Sequence, residues 1–555
     1  MFKNRTDCQC GKPISAHPTE SFSDLQTALK KEEEGEGEKA SKDEEFSVKI
    51  PSSAYGCLQF VDPKRKAEVH EATAQYIRLA GKTDDDYLAQ VGELLMSPRY
   101  WSMDPPQLLI EVAGTATELT GVSERLAEKF KRGLMKAAES ADAWLVTAGS
   151  NDGVMRLVGD AVAKARRLGI TLTCLGITSW GVVANRHQLE FTPRSAKQPV
   201  PYDVAEAEMG VSLNYGHNFY LLVDNGIEER YGEEIAFRAA VLHYITQKAS
   251  LYDRIVRGLS GTSDTPVIPR VLLVVGGGPN TLRQVKLATC GTQDHPLALN
   301  PVVALAGFGG VGDLLCHAYR YLAYPSLAKF RRRNHSNDNG NKENPDVGIK
   351  LAPKEFFIEM TQHPAFGRLV DRFNTDSLDE EHKQWEVVND LYECCSNLKL
   401  ITVVDLSKSE PVTLDSAILN AIFKARLFRN QSSLQILQLA RRWDLVHVAR
   451  DIVQRSYGDL KTIDYKSFIQ LLELAIICGQ HEMYELITDY KLVNLVKFLS
   501  PQQIIKLYQL MMSKLAYPGT DPDNEQLRQP KNPQLLRCVK LLVTMLTMKR
   551  KKNHS

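Results

Sequence analysis

The sequence lacks any apolar run approaching the ~20 residues that a membrane-spanning helix needs. Its most apolar windows, such as residues 301–311, are short and broken by glycine. No direct membrane span is therefore expected in this chain. The first residues, MFKNRTDCQCGK, hold no apolar stretch, so no secretory leader is expected either. Charge of one sign is equally scarce, since 68 basic and 67 acidic residues leave a formal net charge of +1. That balance implies no global attraction to nucleic acid or to a membrane surface. Ten cysteines over 555 residues are too scattered for a disulfide framework. Cys174, Cys316 and Cys478 stand in apolar contexts that suit reduced thiols in the cytosol. The C-x-C-G at Cys8 and Cys10 and the adjacent Cys394 and Cys395 have no second pair at zinc-ligand spacing, which argues against a metal site.

What the sequence does have is one repeated unit. VLLVVGGGPNTLRQVK (271–286) sets five apolar residues directly before three glycines, then Pro279, Asn280 and Thr281, then a helical pattern. A short run rich in β-branched residues reads as a strand buried on both faces. The glycines remove every Cβ at the turn, so backbone N–H groups can converge on an anion at the helix N-terminus. An ordinary βα turn accounts for the same letters. Related units stand at 108–137, 143–169, 170–181, 218–247 and 300–323. Strands alternating with helices at this spacing predict βαβ units and a doubly wound parallel sheet. Right-handed crossovers set the turns at Gly114, Gly149, Trp180, Gly226, Gly277 and Gly309 along one edge of that sheet, where a nucleotide-like ligand would sit. Residues 54–58 read as a short strand and 69–80 as a helix.

The organisation follows from shifts in composition. Residues 30–45, KKEEEGEGEKASKDEE, have almost nothing to bury, so 1–46 is expected to be disordered. The α/β domain is placed at 47–328. RRRNHSNDNGNKENPD (331–346) marks a flexible linker at 329–352. From 353 to 548 the alternation gives way to amphipathic helical segments. Two of them read as helix-turn-helix pairs that break at Trp443-Asp444 and Gly479-Gln480, which predicts an all-α, solenoid-like domain of irregular repeats. Residues 549–555 form a small basic tail.

CQCG, WLVTAGSNDGVMRLVGDAV, LGITSWGVVANR, NFYLLVDNG, RYGEEIAFR and VVGGGPNTL stand in an order and spacing that resemble the cytosolic N-terminal region of the TRPM (transient receptor potential melastatin) cation channels. In that family these motifs belong to a SLOG-type, Rossmann-like nucleotide-sensor domain, and LARRWDLVHVAR is similar to its helical repeat region. The resemblance implies a ligand-sensing and subunit-assembly region on the cytoplasmic side of a calcium-permeable or monovalent cation channel, with the pore absent from this chain. It implies the channel's transmembrane region and other TRPM subunits as partners, in a homo-tetramer. It also implies ADP-ribose or an adenine nucleotide as a regulatory ligand. The positions that match the family's ligand contacts are Thr147, Asn151, Tyr231, Arg238, Gly277, Gly278 and Thr281. Arg238 is expected to grip a phosphate bidentately; read from the residues alone, it is a helix-surface arginine paired with Glu233 or Glu234. In ADP-ribose-responsive relatives an arginine is usual where this chain has Gly310, and a larger side chain where it has Ala184.

Two other functions compete. The fold superfamily resembles nucleotide phosphoribohydrolases carrying P-G-G-x-G-T-x-x-E, but the comparable stretch here, GGGPNTLRQ, puts Gln284 near the acid's place. An amide cannot act as a general base. Asp152, Asp224 and Asp313 sit at turns, where helix capping accounts for them equally well. The chain is therefore expected not to be an enzyme. The remaining alternative is a ligand-free scaffold for subunit contacts.

Overall fold

The computed structural model describes residues 54–61, 72–97, 100–115, 122–190, 198–204, 210–256, 268–291, 299–324, 352–373, 379–407, 413–428 and most of 433–507. The expected disordered segment, the 331–346 linker, the Trp443-Asp444 break and the basic tail lie outside the described residues. The chain divides into two compact units, Met1–Ala425 and Arg426–Ser555.

In the first unit the elements are β1 (Tyr55–Val61), β2 (Thr73–Ala80), α1 (Asp85–Met96), β3 (Leu108–Gly114), α2 (Glu124–Ser140), β4 (Ala143–Thr147), α3 (Gly153–Arg167), β5 (Thr173–Ser179), β6 (Val200–Asp203), β7 (Phe219–Asp224), α4 (Ile235–Val256), β8 (Arg270–Val275), α5 (Pro279–Cys290), β9 (Val302–Ala306), α6 (Gly310–Ala323), α7 (Lys354–Thr361), α8 (Pro364–Val370), α9 (Glu380–Cys395), β10 (Ile401–Asp405) and α10 (Leu414–Phe428), the last running past the boundary. Ten strands form one sheet in the order β10-β9-β8-β3-β4-β5-β7-β2-β1-β6. From β10 to β2 every neighbouring pair is parallel; β1 joins β2 antiparallel, and β6 joins β1 parallel.

The central strands follow from their letters. RVLLVV of β8 and AWLVT of β4 are buried at every position, as a strand covered by helices on both faces must be. Side chains fix where the helices begin: Asp84 accepts from the Tyr87 N–H ahead of α1, and Ser123 from the Leu126 N–H ahead of α2. One apolar layer packs Phe237, Val241 and Ile245 of α4 onto Leu109, Val146 and Ile177. A second gathers α5, α6, α7, α8 and α9 over β8, β9 and β10.

Three readings of the sequence are corrected. The segment read as a helix at 69–80 contains a strand, β2, because TAQYIRLA finds partners on both sides, β7 and β1. Strand pairing in space, which one segment cannot display, overrides a local pattern. The strands also do not end at 328. ITVVD of β10 pairs with β9, and α7–α9 pack within the same apolar layer, so the α/β unit extends to Ala425. Five residues among helical segments gave little periodicity to read. Finally, the sheet is mixed at the β1 edge rather than parallel throughout.

The second unit contains α11 (Ser433–Arg442), α12 (Val446–Arg455), α13 (Tyr457–Leu460), α14 (Tyr465–Ile477), α15 (His481–Asp489) and α16 (Leu495–Phe498). The turn expected at Gly479-Gln480 is there, with Gly479 at φ 68° between α14 and α15. The Gln480 side chain donates to Arg441 O at 2.6 Å, fastening that turn to α11. Among the described residues no helix is long and apolar enough to cross a membrane.

Candidate functional site

The strand order reverses at β3. The chain steps from β3 to β4, β5 and β7 on one side, and from β8 to β9 and β10 on the other. Ligands of doubly wound sheets sit outside the strand carboxyl ends at such a switch point. Here those ends are Gly114-Thr115 and Val275-Gly276. The Thr115 N–H approaches Val275 O at 3.4 Å, and the Val154 N–H donates to Thr115 O at 3.0 Å, which ties the first turn of α3 to the same spot.

Two helices start beside β8, and their ends differ. Gly276 and Gly277 adopt φ of 67° and 108°. Their carbonyls accept from Gly312 at 2.9 Å and Val311 at 3.1 Å, so the N-terminus of α6 is spent on the turn. The N-terminus of α5 is open. Among the described residues the N–H groups of Gly277, Gly278 and Asn280 carry no hydrogen bond. A Cβ at Gly278 would meet nothing within 4 Å. The Thr281 hydroxyl, donating to Gly114 O at 3.4 Å, holds this helix start against β3.

The neighbouring segment supplies side chains. Gly232 packs against the Asn280 side chain. Arg283, exposed on the first turn of α5, places Nη1 3.5 Å from Gly232 O, its one hydrogen bond among the described residues. Tyr231 is 52% exposed, and its phenol is pushed up by partial burial and by the Asp152 charge. Asp152 precedes α3 without capping it; burial raises its carboxyl, and Arg156 partly offsets this. From Tyr231 a cleft of about 440 Å³ extends along Val183, Ala184, Arg186, His187 and Glu228. Arg186 bonds to Glu228 at 2.6 Å and to Gly181 O at 2.9 Å.

Of the residues singled out from the sequence, Gly277, Gly278, Thr281 and Tyr231 lie around this opening. Thr147 is fully buried, its hydroxyl shared between His217 Nε2 at 2.7 Å and the Gly149 N–H at 2.8 Å. The Asn151 side chain accepts from Asn214 at 2.9 Å. Arg238 is placed otherwise than expected. It is 2% exposed, beneath α4 rather than on its surface. Its Nε lies 3.2 Å from Glu111 and its Nη2 3.7 Å from Glu234. Arg270 takes the other Glu111 oxygen at 2.5 Å, and Ser179 donates to Glu234 at 2.7 Å. Burial pushes the Glu111 carboxyl up, but Arg270 and Arg238 outweigh it and hold the group below its usual range. The arginine that sequence reasoning chose is thus neutralised inside the unit, whereas Arg283, which it passed over, faces solvent at the helix start. The signal for Arg283 was its place in the first turn after the glycines.

Gly310 has φ 53°, and a Cβ there would stand 2.1 Å from Gly277 O. An arginine at this position requires a different turn. Two of the three carboxylates weighed for catalysis are engaged. Asp224 binds Arg78 and accepts from the Gly226 N–H, and Asp313 accepts from Gly307 at 2.7 Å and Gly309 at 3.1 Å. Gln284 donates to Asn280 O at 3.2 Å.

Residues 74–334 match the family described as SLOG in TRPM. The chain is 27% identical over 512 residues to transient receptor potential cation channel subfamily M member-like 2 of Nematostella vectensis, covering 90% of this chain and 28% of the relative. It is 28% identical over 514 residues to the human subfamily M member 6, covering 92% of this chain and 22% of the relative. It is 28% identical over 487 residues to the mouse subfamily M member 7, covering 84% and 22%. The chain thus spans between 22% and 28% of the length of these relatives.

Proposed function

We propose, from the premise that this chain is a TRPM N-terminal region with its SLOG domain, that it serves as a ligand-sensing and subunit-assembly region of a TRPM-type cation channel. The ligand is an adenine nucleotide or an ADP-ribose-like diphosphate. One observation carries the reading: the start of α5 presents three N–H groups without partners among the described residues, beside a glycine with open space around it. Those groups and the helix dipole favour an anion. Arg283 adds a charge-assisted contact in place of the buried Arg238. Tyr231 stands between this cradle and the 440 Å³ cleft, which offers room for a base or sugar. The chain acts by binding rather than by turnover. Its helical second unit is read as the beginning of a repeat region, because stacked helix pairs provide long packing surfaces for other subunits. The working place is the cytoplasmic side of the membrane.

Calorimetry with ADP-ribose tests the ligand. The wild type is expected to bind. Arg283→Ala is expected to lose about tenfold or more, the equivalent of one charged hydrogen bond at ~1.5–3 kcal/mol. Tyr231→Ala, at an exposed position, is expected to weaken binding without unfolding the chain. No heat in any folded variant favours the ligand-free scaffold instead.

A further inference from the structure

The far end of α5 lies away from the ligand cradle. Lys286 reaches across to α9, 2.5 Å from Asp390 and 2.8 Å from Glu393. One helical turn beyond Lys286 is Cys290, and one turn beyond Asp390 is Cys394. Both helices lead into strands of the same parallel sheet, so they run in the same sense. The ion pair therefore sets a register in which the two thiols stand side by side, each one turn beyond it on its own helix. Cys290 is exposed and Cys394 is fully buried. The remaining thiols nearby differ. Cys316 donates to Ala304 O at 3.6 Å inside the core, and Cys395 is buried there too.

We propose that Cys290 and Cys394 are a peroxide-responsive dithiol that closes to a disulfide joining α5 to α9. Cys290 supplies the attacking sulfur because it is exposed. Cys394 beside it is the main influence that lowers the Cys290 thiol, which favours the thiolate form. The thiolate attacks one oxygen of hydrogen peroxide. An S–O bond forms, the O–O bond breaks and hydroxide leaves, so the sulfur is oxidised to a sulfenic acid while peroxide is reduced. Cys394 then attacks that sulfur. Its proton goes to the departing hydroxyl, the S–O bond breaks, the S–S bond forms and water leaves. Cys394 keeps its proton until that step, because its contact with Cys290 and its burial hold the thiol well above the ordinary range. Burial likewise pushes Cys316 and Cys395 up to about 12, which leaves them unreactive.

The test treats the full chain with hydrogen peroxide near stoichiometry, blocks free thiols and maps peptides by mass spectrometry without reduction. A Cys290–Cys394 peptide pair that disappears on reduction is expected. Cys290→Ser should abolish it, and Cys395→Ser should leave it unchanged. Cys394→Ser should leave a sulfenic acid at Cys290 that dimedone traps. The wild-type map is decisive even if a buried-site variant fails to fold. A Cys290–Cys395 link, or over-oxidised Cys290 without any linked peptide in chain that circular dichroism shows to be folded, overturns the proposal.

Discussion

The turn after β4 and the turn after β8 look alike as letters, TAGSNDG and VGGGPN, and lie on the same edge of the sheet, yet they enclose opposite things. The first is filled. A Cβ at Gly149 would stand 2.7 Å from the Tyr220 ring and 3.0 Å from the Gly176 Cα. The Tyr220 hydroxyl donates to Asn214 O at 2.6 Å, and His217 closes over Thr147. The second turn is open at Gly278 and leaves N–H groups without partners among the described residues. The difference teaches that glycine in a βα turn marks close approach without saying what approaches. After β4 the chain's own residues 213–220 occupy the place that a ligand is proposed to take after β8.

Between the two turns lies Glu111, whose removal has the largest expected effect. Glu111→Ala strips Arg270 of its carboxylate in the core and leaves Arg238 with Glu234 alone, and breaking a buried pair in this way costs about 3–5 kcal/mol. The denaturant midpoint should fall accordingly. A change under ~1 kcal/mol would mean that water reaches these guanidinium groups.

The filled turn should also respond to acid. Burial drives His217 down to about 3 from an ordinary value of 6.5. A lowered histidine is neutral in the folded chain and protonated in the unfolded one between those values. Its contribution to stability is complete above about 6.5 and is lost as pH falls toward about 3. The slope approaches ~1.4 kcal/mol per pH unit for one proton. Glu111, held below its usual range, works in the same direction at the acid end. Urea titrations from pH 7 to 4 should show the slope in the wild type and a flatter one in His217→Gln.

The smallest effects compare the turns directly. Gly149→Ala forces a methyl against Tyr220 at φ 73° and should cost about 1–3 kcal/mol. Gly278→Ala, with φ −124° and free space, should stay within ~0.5 kcal/mol of the wild type in thermal unfolding. Equal losses in both would erase the distinction between a packed and an open turn.

Legibility followed periodicity. β3, β4, β5, β7, β8 and β9 were visible because buried parallel strands are continuous apolar runs, and each ends in its turn. β2, β6 and β10 were missed, since each takes its identity from the strand beside it. The site was half visible. Glycines and Thr281 could be read from the motif. The choice between Arg238 and Arg283 could not, because it turns on which face of which helix meets Glu111.

By itself the sequence determined that parallel strands alternate with helices, that glycine turns follow them, and that the motifs resemble those of the TRPM family. Those properties are local: apolar runs, Cβ-free turns and fixed spacings survive in a one-dimensional string. Only the tertiary structure decided which turn is open, which arginine is neutralised and which two cysteines stand in matching register on neighbouring helices. These are matters of what arrives from elsewhere in the chain. Glu111 and Arg238 are far apart in sequence, as are Cys290 and Cys394, and only the folded sheet with its helices brings the first pair to 3.2 Å and sets the second on neighbouring helices in matching register.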